Sequence, residues 1–86
     1  MRKVFHDTGW EDYLYWQGQD KKTLKRINLL LHDIDRHGQT GIGNPEMLKD
    51  EEGWWSRRIN EKDRLIYRIE NGTILIAQCR GHYGDH

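Results

Sequence analysis

Eighty-six residues leave room for a single domain, residues 1–86, built around one thin hydrophobic core. Lysine plus arginine and aspartate plus glutamate number 14 each, so the formal charge is zero, which argues against a protein that simply coats DNA phosphates. No apolar run nears the ~20 residues of a membrane span, residues 1–7 lack the apolar stretch of a signal peptide, and the single cysteine forbids an intrachain disulfide, so a reducing cytoplasm is the expected setting and no membrane partner is expected.

Taken in chain order, Lys3 to His6 reads as a short extended segment. Thr8-Gly9-Trp10-Glu11 then has the spacing of a capping box and predicts a helix with Trp10, Tyr13, Leu14 and Trp16 or Gln17 along its apolar side. Asp20 is suited to cap a second helix, in which Leu24, Ile27, Leu31 and Ile34 recur at three- and four-residue steps with Leu30 beside them. Gly38 is the expected stop. Residues 39–45 are rich in glycine and end at Pro45, which predicts an ordered loop rather than a linker.

After Gly53 the period changes to two. Trp55 and Ile59, then Leu65, Tyr67 and Ile69, then Leu75, Ala77 and Cys79 alternate with polar or mixed neighbours and are the expected inward positions of three strands. Glu70-Asn71-Gly72-Thr73 predicts a type I′ hairpin, because Asn-Gly accepts two positive φ angles, and Asn60 to Asp63 predicts a second turn. The pattern is α+β: two N-terminal helices packed on one face of an antiparallel sheet.

The neutral total hides an asymmetry. Residues 54–83 carry Arg57, Arg58, Lys62, Arg64, Arg68 and Arg80 against Glu61, Asp63 and Glu70, a net charge of +3. In a strand, Arg80 and His82 would share a face, as would Arg64 and Arg68, while Glu46 follows the Gly-Pro loop at a sheet edge. A carboxylate, several guanidiniums and an imidazole on one surface match the needs of in-line RNA cleavage: a base for the 2′-OH, cations for the phosphorane, and an acid for the departing 5′-oxygen. No metal or other cofactor is required, since the nucleophile belongs to the substrate. The same residues also admit the plainer reading of solvated strand faces.

Five ordered segments carry a more specific signal: Trp10-Glu11-Asp12-Tyr13-Leu14-Tyr15-Trp16, Gly43-Asn44-Pro45-Glu46-Met47-Leu48-Lys49, Trp55-Ser56-Arg57-Arg58-Ile59, Arg64-Leu65-Ile66-Tyr67 and Cys79-Arg80-Gly81-His82-Tyr83. Together, from Met1 to Tyr83, the chain resembles the YoeB (Txe/YoeB) toxins of the RelE superfamily. The resemblance implies a RelE-like microbial RNase fold and a ribosome-dependent mRNA endonuclease, the toxin of a type II toxin–antitoxin pair. It further implies action on mRNA in the A site of the 70S ribosome, silencing by a YefM-like antitoxin and the capacity to form a homodimer, the alternative being a noncatalytic ribosome- or antitoxin-binding module derived from such a toxin. Residue by residue it implies Glu46 as general base, Arg64 as the transition-state arginine, His82 as general acid and Tyr83 as the aromatic beside it. Arg58, Lys49 and Arg80 fall to substrate binding. Two features depart from the family pattern: Gly81 stands where an aromatic is usual, and Gly84-Asp85-His86 extends beyond the usual terminal tyrosine.

Other signals read as structural. Trp10, Tyr13 and Leu14 are expected in the core, and of the adjacent Trp54 and Trp55 one is expected buried and the other partly open. Cys79, His82 and His86 have superficial zinc-ligand spacing, but a strand would turn Cys79 and His82 to opposite faces.

Overall fold

A computed structural model describes residues 1–82. The chain runs β1 (Arg2–Phe5), α1 (Asp7–Gln19), α2 (Lys21–His37), β2 (Glu46–Met47), β3 (Trp55–Arg58), β4 (Arg64–Glu70) and β5 (Thr73–Gln78). The five strands form one sheet in the order β1-β5-β4-β3-β2, antiparallel except for the parallel pair of β1 and β5. The three expected strands are present as β3, β4 and β5, β2 extends this antiparallel meander to four, and the N-terminal extended segment adds a fifth strand at its far edge. Among the described residues no helix is long and apolar enough to cross a membrane.

The second helix forms as its sequence predicts. Asp20 Oδ1 accepts from the backbone N–H of Lys22 at 3.1 Å and of Thr23 at 3.3 Å, which satisfies two donors of the first turn. Gly38 ends the helix at a φ of 65°, where glycine is free of Cβ strain. Ile27, Leu30, Leu31 and Ile34 are buried and cluster with Ile59, Leu65, Tyr67, Ile74, Ile76 and Cys79 of the sheet side. Each large apolar side chain enclosed in this way contributes about 1.5–3 kcal/mol. Leu24 lies at the margin of the stripe rather than within it.

The first helix departs from expectation in two respects. It begins at Asp7 with His6 as N-cap and no side-chain cap, so Thr8 lies inside the first turn and no capping box forms. Its buried positions are Gly9 and Asp12, while Trp10 and Leu14 are 45% and 38% exposed. The helix is rotated because its glycine, not its aromatics, meets the sheet: a Cβ on Gly9 would stand 2.5 Å from the Ile76 carbonyl oxygen. Trp10 instead lies against the rings of Phe5 and Tyr13, and Tyr13 and Trp16 border the core.

The last strand also corrects the expected parity. Ile74 and Ile76 face the helices, not Leu75 and Ala77. The register explains why Cys79 nevertheless reaches the core: Tyr67 pairs with Ile76 but Ile66 pairs with Gln78, so Ala77 is an extra residue that reverses the alternation. Regular pairing ends at Gln78, so Arg80 and His82 lie beyond the strand rather than in it. Trp54 and Trp55 are both half-buried, since Trp55 borders the core while Trp54 lies between the rings and guanidinium of His6 and Arg68 on the other face.

The loop after α2 is held by one buried guanidinium. Arg57 is fully enclosed, and its N–H groups donate to Asp33 Oδ2 at 2.5 Å, the carbonyls of Gly38, Thr40 and Ile42 at 2.6, 3.0 and 3.0 Å, and the Tyr67 hydroxyl at 3.1 Å. Tyr67 donates onward to Gln39 Oε1 at 2.9 Å. The Arg57 hydrogen bonds hold the Asp33 carboxyl below the usual carboxylate range.

Candidate active site

The helix-free face of the sheet is set by register. In antiparallel pairs, directly opposed residues project to the same side. Glu46 opposes Ser56, Ser56 opposes Ile66, and Ile66 opposes Gln78, a row that crosses β2, β3, β4 and β5. One step further along the strands Arg58 opposes Arg64. Because neighbouring strands lie ~4.8 Å apart, Glu46 and Arg64 are two strands and two residues from each other, about 12 Å between Cα atoms, with long side chains to close the gap.

Each member is placed by local chemistry. Asn44, at a φ of 52°, turns the chain into β2, and its Nδ2 donates to Glu46 Oε1 at 2.7 Å. The backbone N–H of Arg58 donates to the Gly43 carbonyl at 2.7 Å, which joins this turn to β3. In the turn between β3 and β4, Asn60 Oδ1 accepts from the N–H of Lys62 and Asp63, both at 2.8 Å. The Arg64 Nη1 donates to the carbonyls of Asn60, Glu61 and Asp63 at 2.6, 3.2 and 3.1 Å. Backbone oxygens thus orient this guanidinium, and among the described residues no carboxylate forms an ion pair with it.

The C-terminal segment comes to the same corner. Arg64 N–H donates to the Gly81 carbonyl at 3.0 Å, and Gly81 N–H donates to Asp63 Oδ1 at 2.7 Å. Gly81 has a φ of 77°, a conformation that glycine adopts without Cβ strain. Gln78 Nε2 donates to the His82 carbonyl at 3.2 Å, so His82 is tied to the end of the Glu46 row, with its own side chain exposed.

The structure therefore brings Glu46, Arg58, Arg64 and the His82 backbone to one surface. Lys49 is exposed in the loop between β2 and β3. Arg68 shares the face of Arg64, but its guanidinium pairs with Glu70 at 2.9 Å and lies over Trp54. Arg80 is turned toward α1, its guanidinium 3.9 Å from the centre of the Tyr15 ring. Tyr83 lies outside the described residues, as do residues 84–86. Cys79 is buried, and burial pushes its thiol up to about 12, so it is not a nucleophile at neutral pH. It faces the core whereas His82 is exposed, and among the described residues no three His, Cys, Asp or Glu side chains gather as a metal site.

Three supporting residues escaped the sequence reading: Asn44, Asp63 and Gln78, each of which holds a neighbour of the site. Their signal was faint, an Asn beside Pro45 and a Gln inside an apolar strand. A phosphate over Arg58 and Arg64 would have a carboxylate on one side and the histidine segment on the other.

Comparison with known proteins bears on the family and the fold. Residues 5–83 match the family described as YoeB-like toxin of bacterial type II toxin-antitoxin system. Toxin YoeB of Synechocystis is 51% identical over 84 residues, covering 96% of this chain and 98% of that protein. The YoeB dimer of Staphylococcus aureus superposes with a TM-score of 0.92 at 47% identity, covering 96% of this chain and 98% of that one. A chain of the heterotetrameric YoeB-YefM complex of the same organism superposes with a TM-score of 0.90 at 47% identity and the same coverage.

Proposed function

Since the chain belongs to the YoeB-like toxins of bacterial type II toxin–antitoxin systems, we propose that it is an endoribonuclease that cleaves messenger RNA in the ribosomal A site. The carrying observation is that Glu46, at one end of the cross-strand row, shares a sheet face with Arg58 and Arg64, one step along the strands from that row, while the backbone of His82 is tethered to Gln78 at the row's other end. Glu46 takes the proton of the 2′-OH, and the 2′-oxygen attacks the adjacent phosphorus. Arg64, already oriented by the turn carbonyls, and Arg58 stabilise the charge that builds on the nonbridging oxygens. As the bond from phosphorus to the 5′-oxygen breaks, His82 donates its proton to that oxygen. A 2′,3′-cyclic phosphate and a 5′-hydroxyl result, and water later opens the former to a 3′-phosphate. Lys49 adds a cation for the incoming strand, and the family pattern gives Tyr83 the role of the aromatic that accompanies the acid. The steps use no metal, because the nucleophile and leaving group both belong to the RNA.

The S. aureus relatives form a dimer and a complex with YefM, and by the same reasoning a YefM-like antitoxin and a second copy are this chain's partners in the cytoplasm. Purified protein added to a translating extract tests the proposal. Defined cuts within codons, bearing 5′-hydroxyl ends, are expected; intact message would leave only a noncatalytic module that binds ribosome or antitoxin.

A further inference from the structure

The surface of α1 contains three polar contacts that neither the core nor the cleavage chemistry explains. β1 ends opposite Ile76, so on that side no strand lies beside the backbone of Cys79. Asp12 and Trp16, four residues apart on one face of α1, take the place of a strand: Asp12 Oδ2 accepts from Cys79 N–H at 3.0 Å, and Trp16 Nε1–H donates to the Cys79 carbonyl at 2.8 Å. Both backbone groups of one residue are thereby satisfied by a helix. Gly9 permits this approach, because any side chain there would strike the Ile76 carbonyl. At the next residue the Arg80 guanidinium stacks on Tyr15. One residue on, Gly81 is fastened to Asp63 and Arg64.

We propose that α1 is a clamp that positions the C-terminal segment bearing His82, with Asp12, Trp16, Tyr15 and Arg80 as positioning residues; this rests on the reading of His82 as general acid. Three consecutive residues, Cys79, Arg80 and Gly81, are each anchored immediately before the histidine. An exposed imidazole on an unanchored segment would sample many positions, whereas proton transfer needs hydrogen-bond reach, and a misplacement of about 1 Å can cost about 10²-fold in rate. Arg80 contributes by stacking on α1 rather than by gripping the substrate phosphate.

Tyr15 and Arg80 are exposed, so their variants test the clamp without dismantling the core. Tyr15→Ala and Arg80→Ala should each lower the single-turnover rate on ribosome-bound message about three- to tenfold, the scale of a lost cation–π contact, with the half-saturating ribosome concentration unchanged. Tyr15→Phe, which keeps the ring face, should retain the wild-type rate. In a His82→Gln background Tyr15→Ala should cost nothing further. In spectra of histidine-labelled protein, Tyr15→Ala should move the His82 imidazole signals and leave those of His6, His32 and His37 in place. A raised half-saturating concentration at unchanged rate for Arg80→Ala would make it a substrate contact and overturn the proposal, as would a Tyr15→Ala effect that multiplies with His82→Gln. Should the wild-type protein be silent on ribosomes, the spectra decide alone: a shifted His82 supports the clamp, and an unmoved one refutes it.

Discussion

In the proposed mechanism Glu46 and His82 serve one proton-transfer event, and their environments differ from those of the buried charges elsewhere. Both side chains are exposed, and Glu46 is oriented by a single amide hydrogen bond from Asn44. Glu46→Gln and His82→Gln should each lower single-turnover cleavage by about 10²–10⁴-fold without lowering stability, and the double variant should not multiply the two losses. Equal cleavage by all three variants would remove both assignments. Arg57 presents the opposite case. Although it stands beside Arg58 in the sequence, it is wholly buried and serves the fold. Arg57→Leu would leave three loop carbonyls, a tyrosine hydroxyl and the Asp33 carboxylate without their donor, and urea unfolding should show a loss of about 3–5 kcal/mol.

Between elements, two contacts decide how the layers meet. Gly9→Ala opposes two effects of opposite sign. Helix propensity favours alanine by about 1 kcal/mol, but its Cβ would stand 2.5 Å from a backbone oxygen of β5 that cannot move aside. Overpacking wins, and thermal unfolding should show a net loss of about 1–2 kcal/mol. The other contact ties β1 to α2. Asp35 accepts from the amino group of Met1 at 2.8 Å and from Lys3 Nζ, and these hydrogen bonds, the one from Lys3 first, lower its pKa to about 2. A carboxylate depressed in the folded state stabilises it at pH values above its ordinary 3.8, and that contribution disappears as pH falls from about 4 through about 2. Asp35→Asn should therefore unfold with a flatter pH dependence across that window, and the β1 amides should exchange faster. An unchanged acid limb would show that β1 is held by its pairing with β5 alone.

At the scale of the whole molecule, zero net charge gives the protein little phosphate attraction of its own, although residues 54–83, which hold Arg58 and Arg64, carry a net +3. On the proposed function, cleavage then depends on the ribosome to present the message. The same RNA added free in solution at about 0.15 M salt should be cut at least about 10²-fold more slowly than when ribosome-bound, since positioning by the ribosome is lost. Comparable rates on free and bound RNA would make the protein a self-sufficient ribonuclease.

Much of this was legible from residue order alone because it rests on local rules. Asp20 and Gly38 bounded the second helix, Asn71-Gly72 closed the last hairpin, and the ordered motifs, read together, identified the family and proposed Glu46, Arg64 and His82. Periodicity failed where a contact distant in sequence overrode it. The face that α1 buries is chosen by Gly9 meeting a carbonyl 67 positions away, and the parity of β5 is reversed by the extra residue Ala77. Likewise, nothing local distinguishes Arg57 from Arg58, since only the packed chain encloses one guanidinium and exposes its neighbour. Side-chain type and spacing are carried along the chain, whereas burial and close approach are properties of the closed fold.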